Sequence, residues 1–510
     1  MLRAVLCVCL LASASAARSR SRSDESVESK EDISIEEVSK ESGSAEDESS
    51  EEYGVNRPQS PTQISSNEEV SGAKVFRVSI KDKNDERDFE RIRSKTFIDM
   101  LHRSKSDVDI LVRPSTYEKT KDLLRSANLD YEILIDNLGK RIELENPAIS
   151  EETAELVGRQ GHKLTFEHYH RVEDQHGYLD YLAETYKDYV TLESIGTSHE
   201  GRELKLIKIS SGYPNASAIW IDGGIHAREW IASATVLHIV RELTEYRDNL
   251  PEEMKQVDYY VVPMVNPDGY EFSHSAYRNR LWRKNRAPGS GSCQGVDLNR
   301  NYGYKWGGKG TSNYKCSDIF RGAGPNSEPE TKAVANYIGK KKPEIQGFLT
   351  FHSYGQYILY PWGYDKKLPP DYEDLQRVGD IAAQRIKEKQ GVKYKVGNSA
   401  NMLYAAAGAA DDWAKAYGKV KYTYTVELRD EGSYGFVIPS SEITACGKDG
   451  FEVVRAVAEA LVKTSGYRRK ALDESIGSNW LDSLMEKLRR IQNIFLGSTL
   501  TMRRSETKRA

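Results

Sequence analysis

Two patterns of apolar and polar residues alternate between Leu164 and Ser465. Short apolar runs predict buried strands, and apolar residues at helical spacing predict helices between them. The predicted strands are Ile207–Ile209, Ala218–Asp222, Tyr259–Pro263, Gly347–His352 and Lys421–Leu428. The predicted helices are Ile231–Leu243, Pro329–Lys341, Tyr372–Gln390 and Gly450–Thr464. This order is typical of an α/β domain with helices on both faces of its sheet.

A shorter pattern fills residues 74–144. Phe76, Val78 and Ile80 alternate with polar residues, as the side chains of a strand do. After this strand we predict a helix over Asp85–Leu101 with Asp85 as its cap, and a strand over Val108–Val112. A second helix over Ser115–Ala127 and a last strand over Tyr131–Ile135 follow. Two strand-helix-strand units in so short a span predict a ferredoxin-like α+β sandwich.

The two ends of the chain differ in character from these domains. Residues 18–73 are serine-rich, and within them residues 24–52 carry thirteen Asp or Glu against two Lys. We predict that this acidic segment is disordered, either as a solvating tail or as a phosphorylated arm that binds calcium or a basic partner. Residues 466–510 are basic and place apolar side chains on one helical face, at Trp480, Leu484, Leu488, Ile491 and Phe495. This tail either packs on the α/β domain, stays disordered, or binds an acidic partner or a membrane surface.

Charge and targeting signals narrow the class of protein. The formal net charge of −4 gives no overall basic surface for nucleic acid. Residues 1–17 combine one Arg, an apolar core and small residues, which is typical of a secretory signal peptide. No other window approaches the length needed to cross a membrane. The predicted location is therefore secreted and extracellular, without a transmembrane segment.

Secretion predicts specific roles for several residues outside any candidate site. In an oxidising compartment Cys293 and Cys316 are expected to form a disulfide that closes a short loop, which leaves Cys446 as a buried free thiol. Asn215 begins an Asn-Ala-Ser glycosylation acceptor in a polar turn between two strands. The linker over residues 147–163 ends in basic residues and offers a trypsin-like protease two places to cut, after Arg159 or after Lys163.

Candidate chemistry begins immediately after the predicted strand Ala218–Asp222. Two glycines follow this strand, then His226 and Glu229, and then a predicted helix. Ligands commonly sit at the carboxyl ends of strands in α/β proteins, and imidazole and carboxylate are good zinc ligands. The alternative is a polar loop with an incidental His and Glu, because this spacing often occurs by chance.

Five motifs carry a resemblance to a known family. They are Gly224–Trp230 (GIHAREW), Asn279–Lys284 (NRLWRK), Gly295–Asn301 (GVDLNRN), His352–Tyr354 (HSY) and Glu427–Asp430 (ELRD). In this order and at this spacing, the sequence from Lys74 to Ser465 resembles a zymogen of the zinc metallocarboxypeptidases, in the digestive A/B-type subfamily. The resemblance implies a mixed central sheet with helices on both faces in a catalytic domain over residues 164–465. It also implies an activation pro-domain and linker over residues 74–163, which covers the active-site cleft until a protease cuts it.

The resemblance assigns the reaction to one zinc ion and its neighbours. It implies that His226, Glu229 and His352 are the zinc ligands, which leaves a fourth position for water. Asp297 resembles the carboxylate that orients a ligand imidazole. Glu427 matches the general base, and it comes directly after Tyr422–Val426, at the end of a predicted strand. Taken alone, each of these side chains would more often be a core histidine or a solvated surface carboxylate.

Substrate-binding positions follow from the same motifs. Arg283 resembles the arginine that polarises the scissile carbonyl group and holds the oxyanion. The other substrate-binding matches grip a free C-terminal carboxylate or lie at outer subsites, and they are Asn299, Arg300, Tyr404, Arg228, Ser353, Tyr354 and Phe436. Without the family, the basic run over residues 278–286 would be interpreted as a solvated face or a heparin-binding patch.

The residue at the base of the specificity pocket indicates which C-terminal residue is removed. Asp411 falls at the position where B-type members carry Asp and prefer Lys or Arg. Gly363 and Ser399 fall at other pocket positions and are small. Ala409 stands where B-type members usually have Gly, and would narrow the pocket. The alternative is that Asp411 points away and Asp412 is the structural aspartate of the family.

The predicted function is removal of C-terminal Lys or Arg from peptides by a secreted, zinc-dependent zymogen, which a trypsin-like protease activates. One rival is a carboxypeptidase of A-type or broad specificity. A second is a non-enzymatic matrix or mineral-binding protein that uses the acidic arm. A third, hydrolysis of peptidoglycan or glutamate tails, is disfavoured because Asp411 would repel an acidic side chain.

Overall fold

The computed structural model describes residues 70–464 except positions 97, 292 and 343. The predicted signal peptide, most of the acidic segment and the basic tail lie outside these residues. Within the described part, the strands form one sheet of four and one sheet of eight. We call residues 70–145 the small subdomain and residues 164–464 the large subdomain.

The small subdomain has the ferredoxin-like arrangement that its pattern predicts. Its strands are β1 (Lys74–Ser79), β2 (Asp99–Arg103), β3 (Asp107–Val112) and β4 (Tyr131–Ile135), and its two long helices are α1 (Lys83–Lys95) and α2 (Tyr117–Ser126). The sheet order is β2-β3-β1-β4 and every neighbouring pair is antiparallel. Phe76, Val78 and Ile110 point from this sheet into one apolar cluster with Phe89 of α1 and Leu124 of α2. Both helices therefore cover the same face of the sheet.

The helix predicted over Asp85–Leu101 is wrong at both ends. Asp82 is its cap, because the Asp82 carboxylate accepts the backbone N–H groups of Asn84 and Asp85. The helix ends at Lys95, and the residues after it form β2, which pairs with β3. Pairing with β3 instead makes these residues the edge strand of the four-stranded sheet, and local spacing does not contain information about that partner strand.

A short connection joins the two subdomains. It contains α3 (Leu138–Glu145) and α4 (Glu151–Gly158), and α4 lies within the predicted linker of helix-forming residues. Asn137 caps α3 by accepting the backbone N–H of Lys140.

The large subdomain is built on a mixed sheet of eight strands. These are β5 (Val190–Thr197), β6 (Glu203–Ile209), β7 (Ala218–Asp222), β8 (Asp258–Val262), β9 (Ile345–His352), β10 (Tyr357–Tyr360), β11 (Lys395–Asn398) and β12 (Tyr422–Glu427). Their order is β11-β10-β12-β9-β7-β8-β6-β5. The four central strands β12, β9, β7 and β8 are mutually parallel, so their carboxyl ends meet at one edge.

Helices cover both faces of this sheet, as predicted. They are α5 (Val172–Thr185), α6 (Trp230–Thr244), α7 (Glu252–Lys255), α8 (Pro267–Ser275), α9 (Pro329–Lys340), α10 (Tyr372–Gln390), α11 (Ser399–Met402) and α12 (Ala410–Ala416), and residues 443–464 are also helical. In β7, Ile219 and Ile221 join one apolar cluster with α6 and α10, while Ala218 and Trp220 join another with α9 and α12. Strand β7 is buried on both faces, which explains its unbroken apolar run. None of the helices in the described residues is long and apolar enough to cross a membrane.

Candidate active site

Three candidate residues lie at the carboxyl ends of the central parallel strands. His352 is the last residue of β9, and Glu427 is the last residue of β12 and its neighbour in register. His226 follows β7 by four residues. Parallel strands therefore bring together side chains that are far apart in the sequence, at the edge of the sheet where ligands bind in α/β folds.

Two glycines allow the chain to turn sharply between β7 and α6. Gly224 has a φ of +66°, and a Cβ atom there would lie 2.7 Å from the Met264 sulfur. A Cβ atom on Gly223 would lie 2.9 Å from the Ala232 carbonyl oxygen. This tight turn places His226 in the loop and Glu229 immediately before the first residue of α6.

His226, Glu229 and His352 converge on one point. The His226 Nδ1 atom lies 2.8 Å from Glu229 Oε1, and His352 Nδ1 lies 3.1 Å from Glu229 Oε2 and 3.2 Å from His226 Nδ1. All three side chains are buried, and their ligand atoms lie within 4.8 Å of one another. Two imidazoles and a carboxylate in this geometry can hold one zinc ion and leave room for further ligands.

The outward-facing nitrogen of each imidazole has its own partner. His226 Nε2 lies 3.2 Å from Asp297 Oδ1, and His352 Nε2 lies 3.3 Å from the Thr350 hydroxyl. These contacts leave both Nδ1 atoms directed toward the shared point, so the donor set fits a metal ion. Burial acts to raise the pKa of Glu229, but the two imidazoles outweigh it and hold that pKa well below its usual range. The carboxylate is therefore ionised, as a metal ligand must be.

Asp297 joins the converging histidine to a neighbouring arginine. Its Oδ1 faces His226, while its Oδ2 accepts two N–H groups of Arg283, at 3.0 and 2.9 Å. Burial acts to raise the pKa of Asp297, but the Arg283 guanidinium outweighs it and lowers the pKa well below its usual range. Arg283 Nη1 lies 4.0 Å from Glu229 Oε1, so its charge is held at the edge of the converging set.

Glu427 shares a cavity with these groups. The cavity is lined by His226, Glu229, Arg283, His352 and Glu427, together with Asn299, Arg300, Tyr404 and Asp411. Burial raises the pKa of the Glu427 carboxyl to about 7, even though His352 acts in the opposite direction. A carboxyl group with a pKa near neutrality can both accept and return a proton.

Three candidate carboxylate-binding residues lie at one side of this cavity. Arg300 donates to the carbonyl oxygens of Gly310 and Asn299, which fixes its guanidinium group, and its Nη2 lies 3.4 Å from the Tyr404 hydroxyl. The side chain of Asn299 accepts the backbone N–H of Ala410. Arg300 is buried and lines the cavity, where a guanidinium group can bind a carboxylate.

The two neighbouring aspartates of the specificity segment have different surroundings. Asp412 accepts the backbone N–H groups of Gly363 and Tyr364, both at 2.8 Å, and is used by the fold. Asp411 is buried, accepts the backbone N–H of Asp412, and lines the cavity with Gly363, Ser399, Ala406 and Ala409. Burial raises the pKa of the Asp411 carboxyl.

Of the predicted outer-subsite residues, Ser353 and Phe436 line the mouth of the cavity, and Arg228 and Tyr354 pack against Phe436. The Arg228 guanidinium lies 4.2 Å from the Phe436 ring centre, and the Phe436 ring meets the Tyr354 ring edge-on at 5.0 Å. The backbone N–H of Ser353 donates to Glu229 Oε2. These residues are therefore contiguous with the converging set.

The small subdomain closes this mouth. Leu101, His102 and Arg103 of β2 line the cavity, and the Leu101 carbonyl oxygen accepts a hydrogen bond from Arg228. The Tyr354 hydroxyl donates to Asp109 Oδ2 at 2.7 Å, and the His102 ring stacks on the Tyr354 ring. A large substrate cannot enter while these contacts persist.

Sequence reasoning missed several residues of the site. Thr350 lies two residues before His352 on β9 and hence on the same face, so strand periodicity could have found it. No local signal marks Leu101–Arg103 as lining the cavity or Glu145 as the partner of Arg280, because these contacts depend on how the subdomains pack. The predictions outside the site are partly met: Cys293 and Cys316 form a disulfide, and Cys446 is free and buried.

Comparisons with known proteins identify relatives of this chain. A family model described as zinc carboxypeptidase matches residues 176–453, and one described as carboxypeptidase activation peptide matches residues 76–145. The chain is 43% identical over 299 residues to carboxypeptidase B of Astacus astacus, covering 58% of this chain and 98% of that protein. It is 35% identical over 398 residues to carboxypeptidase A4 of Mus musculus, covering 76% and 93%. The solved structure of thrombin activatable fibrinolysis inhibitor has a TM-score of 0.69 and 30% identity, covering 77% of this chain and 99% of that one.

Proposed function

The chain belongs to the zinc carboxypeptidase family and carries that family's activation peptide, and from this premise we propose that it removes C-terminal Lys or Arg from peptides once the small subdomain has been cut away. The observation that carries the specificity is the buried Asp411 carboxylate in the cavity wall. The similar proteins include carboxypeptidases named A and B, so their names do not decide which side chain is removed.

Asp411 supports a basic preference because it lacks a cation. Its partners are the backbone N–H of Asp412 and the Thr425 hydroxyl, and among the described residues no Lys or Arg forms an ion pair with it. Its neighbour Asp412 is already held by two backbone N–H groups. A Lys or Arg side chain entering between the small residues Gly363 and Ala409 would supply the missing charge, whereas an apolar side chain would leave a buried carboxylate unpaired.

Arg300 supports action at the end of a peptide. Its guanidinium is fixed by two backbone carbonyl oxygens and lies beside Tyr404 at the cavity wall. A free C-terminal carboxylate can accept two parallel N–H groups from such a guanidinium, and an internal peptide bond cannot. With Asn299 beside it, Arg300 would place the last peptide bond next to His226, Glu229 and His352.

The hydrolytic residues follow from the same placement. We assign His226, Glu229 and His352 as zinc ligands, and zinc bound there would supply the Lewis acid that activates water. Glu427, with its pKa raised to about 7 by burial, would take a proton from that water and pass it to the leaving amine. Arg283 would donate to the carbonyl oxygen as negative charge develops, while Asp297 keeps Arg283 and His226 in place.

Activation would occur by a cut in the connection between the subdomains. Arg159 lies beyond the last turn of α4 and is exposed, as are the next two residues. Lys163 is exposed too, but Leu164 after it is buried in the core and His162 before it packs against Tyr178 and Tyr181. A protease must extend the chain on both sides of the bond, so we propose that the cut follows Arg159.

Secretion is also proposed. The disulfide between Cys293 and Cys316 suits an oxidising compartment. Asn215 lies in a turn with a φ of +55°, between β6 and β7, where a glycan could attach.

The test is hydrolysis of two peptides that differ only in a C-terminal Arg or Phe, by protein treated with trypsin. We expect cleavage of the Arg peptide alone, and its loss in the presence of a zinc chelator. The Asp411→Asn variant should lose roughly 10²-fold in kcat/KM on the Arg peptide, because it leaves the buried substrate charge unpaired. Asp380→Asn, which changes an exposed aspartate of α10, is the matched control.

Each other result has one meaning. Preference for Phe would refute the basic specificity and favour a carboxypeptidase of A-type or broad specificity, for which Ala409 in the pocket wall is the structural reason. No cleavage of either peptide, with zinc bound, would refute the enzymatic role of this chain.

A further inference from the structure

A second group of potential metal ligands lies away from the active site. It consists of His199 in the turn between β5 and β6, and of Glu328 and Glu330 at the start of α9. One ligand atom from each residue lies within 4.8 Å of the others. None of the three residues lines the cavity that holds His226 and Glu427.

The two carboxylates of this group are buried and share one amide donor. Glu330 is fully buried and Glu328 is nearly so. The Asn285 Nδ2 atom lies 2.9 Å from Glu328 Oε2 and 3.1 Å from Glu330 Oε2, and His199 Nε2 lies 2.8 Å from the same Glu328 oxygen. Two buried carboxylate oxygens therefore share one amide donor, and the Glu328 oxygen also contacts the imidazole nitrogen of His199.

The group lacks the positive charge that two buried carboxylates require. Among the described residues, no Lys or Arg forms an ion pair with Glu328 or Glu330, and the nearest basic partner is the titratable His199. The Glu330 Oε1 atom is buried and has no hydrogen-bond partner. Buried carboxyl groups are ordinarily paired, bound to metal or protonated, and burial raises the pKa of Glu330 to about 7 in the absence of a cation.

We propose that His199, Glu328 and Glu330 bind a second divalent cation, of the class of Zn²⁺. An imidazole nitrogen and two carboxylate oxygens are ligands of the kind that Zn²⁺ accepts. The His199 side chain is 27% exposed, so an ion can reach the group from solvent and complete its coordination with water. The unpartnered Glu330 oxygen would gain a partner on binding.

The position of the group suggests a structural role for this ion. It would link the turn before β6 to the start of α9. Asn285 extends the connection, because its Oδ1 atom accepts the backbone N–H of Val296 and its own backbone N–H donates to the Val296 carbonyl oxygen. Val296 precedes Asp297, so the ion would stabilise the loop that carries Arg283 and Asp297.

The experiment measures zinc bound by the full-length precursor after equilibrium dialysis against Zn²⁺ alone. We expect two zinc ions per chain for the wild type and one for His199→Gln. Glu200→Gln changes a neighbouring exposed carboxylate that pairs with Arg202, and it should keep both ions. Added zinc should raise the melting temperature of the wild type more than that of His199→Gln, because binding to the folded state alone stabilises it.

Three results would overturn the proposal. One zinc ion per wild-type chain would leave His199 and Glu328 as a simple ion pair. Two ions in both the wild type and His199→Gln would place the second ion elsewhere. An equal rise in melting temperature on adding zinc to the wild type and to His199→Gln would show that this group does not bind the ion in the folded state.

Discussion

One buried ion pair fastens the small subdomain to the large one, and its removal should release the block on the uncut precursor. Glu145, at the end of α3, pairs with Arg280 of the large subdomain through two contacts, of which Nε to Oε2 is 2.6 Å. Both side chains are 1% exposed. Arg280 also donates to the carbonyl oxygens of Arg228 and Phe436, and its guanidinium lies 3.8 Å from the Trp230 ring centre.

The magnitude follows from this burial. Glu145→Gln keeps the shape of the side chain but leaves the Arg280 charge buried without a counter-ion. Removing one partner of a buried ion pair destabilises the folded arrangement by about 3–5 kcal/mol. Arg280 is hydrated again when the small subdomain leaves, so this destabilisation applies to the docked precursor and not to the open one. The equilibrium between docked and open precursor should therefore shift by roughly 10²- to 10⁴-fold.

The assay is hydrolysis of a small C-terminal Arg substrate by the uncut precursor. We expect Glu145→Gln to be far more active than the wild type before cleavage and equally active after it. Glu143→Gln changes an exposed glutamate of the same helix and should behave as the wild type. If the uncut Glu145→Gln precursor is as inactive as the Glu143→Gln precursor, the ion pair does not hold the small subdomain in place.

Three further predictions test other parts of the chain. Glu427→Gln should lower kcat by roughly 10²- to 10⁴-fold with little change in KM, as measured by steady-state kinetics on the cut enzyme. An unchanged kcat would contradict the role of Glu427 as the general base. Arg159→Gln should prevent release of the small subdomain by trypsin while Lys163→Gln should not, as read by mass spectrometry; the reverse result would move the cut to the second position. Replacing both Cys293 and Cys316 with Ser should lower the free energy of unfolding by about 3 kcal/mol in urea titrations. The reason is that the disulfide joins residues 23 positions apart and so restricts the unfolded chain. An unchanged unfolding midpoint would refute this estimate.

The sequence by itself determined the elements that make up the large subdomain. The observed bounds of strand β7 and helix α10 are the predicted ones, because local apolar spacing reflects burial on both faces of a strand or along one stripe of a helix. The motifs around His226 and His352 identified the converging ligands, although 126 residues separate those two histidines. That pairing came from family resemblance, since no local pattern encodes which strand ends meet.

Tertiary structure alone decided the contacts between distant segments. It converted the predicted end of helix α1 into strand β2, because β3 offered an edge to pair with. It separated Asp411, which lines the cavity, from Asp412, which holds two backbone N–H groups. It also joined Glu145 to Arg280 across 135 residues. Local periodicity records whether a side chain is buried, whereas its partner is selected by the packing of elements that the sequence places far apart.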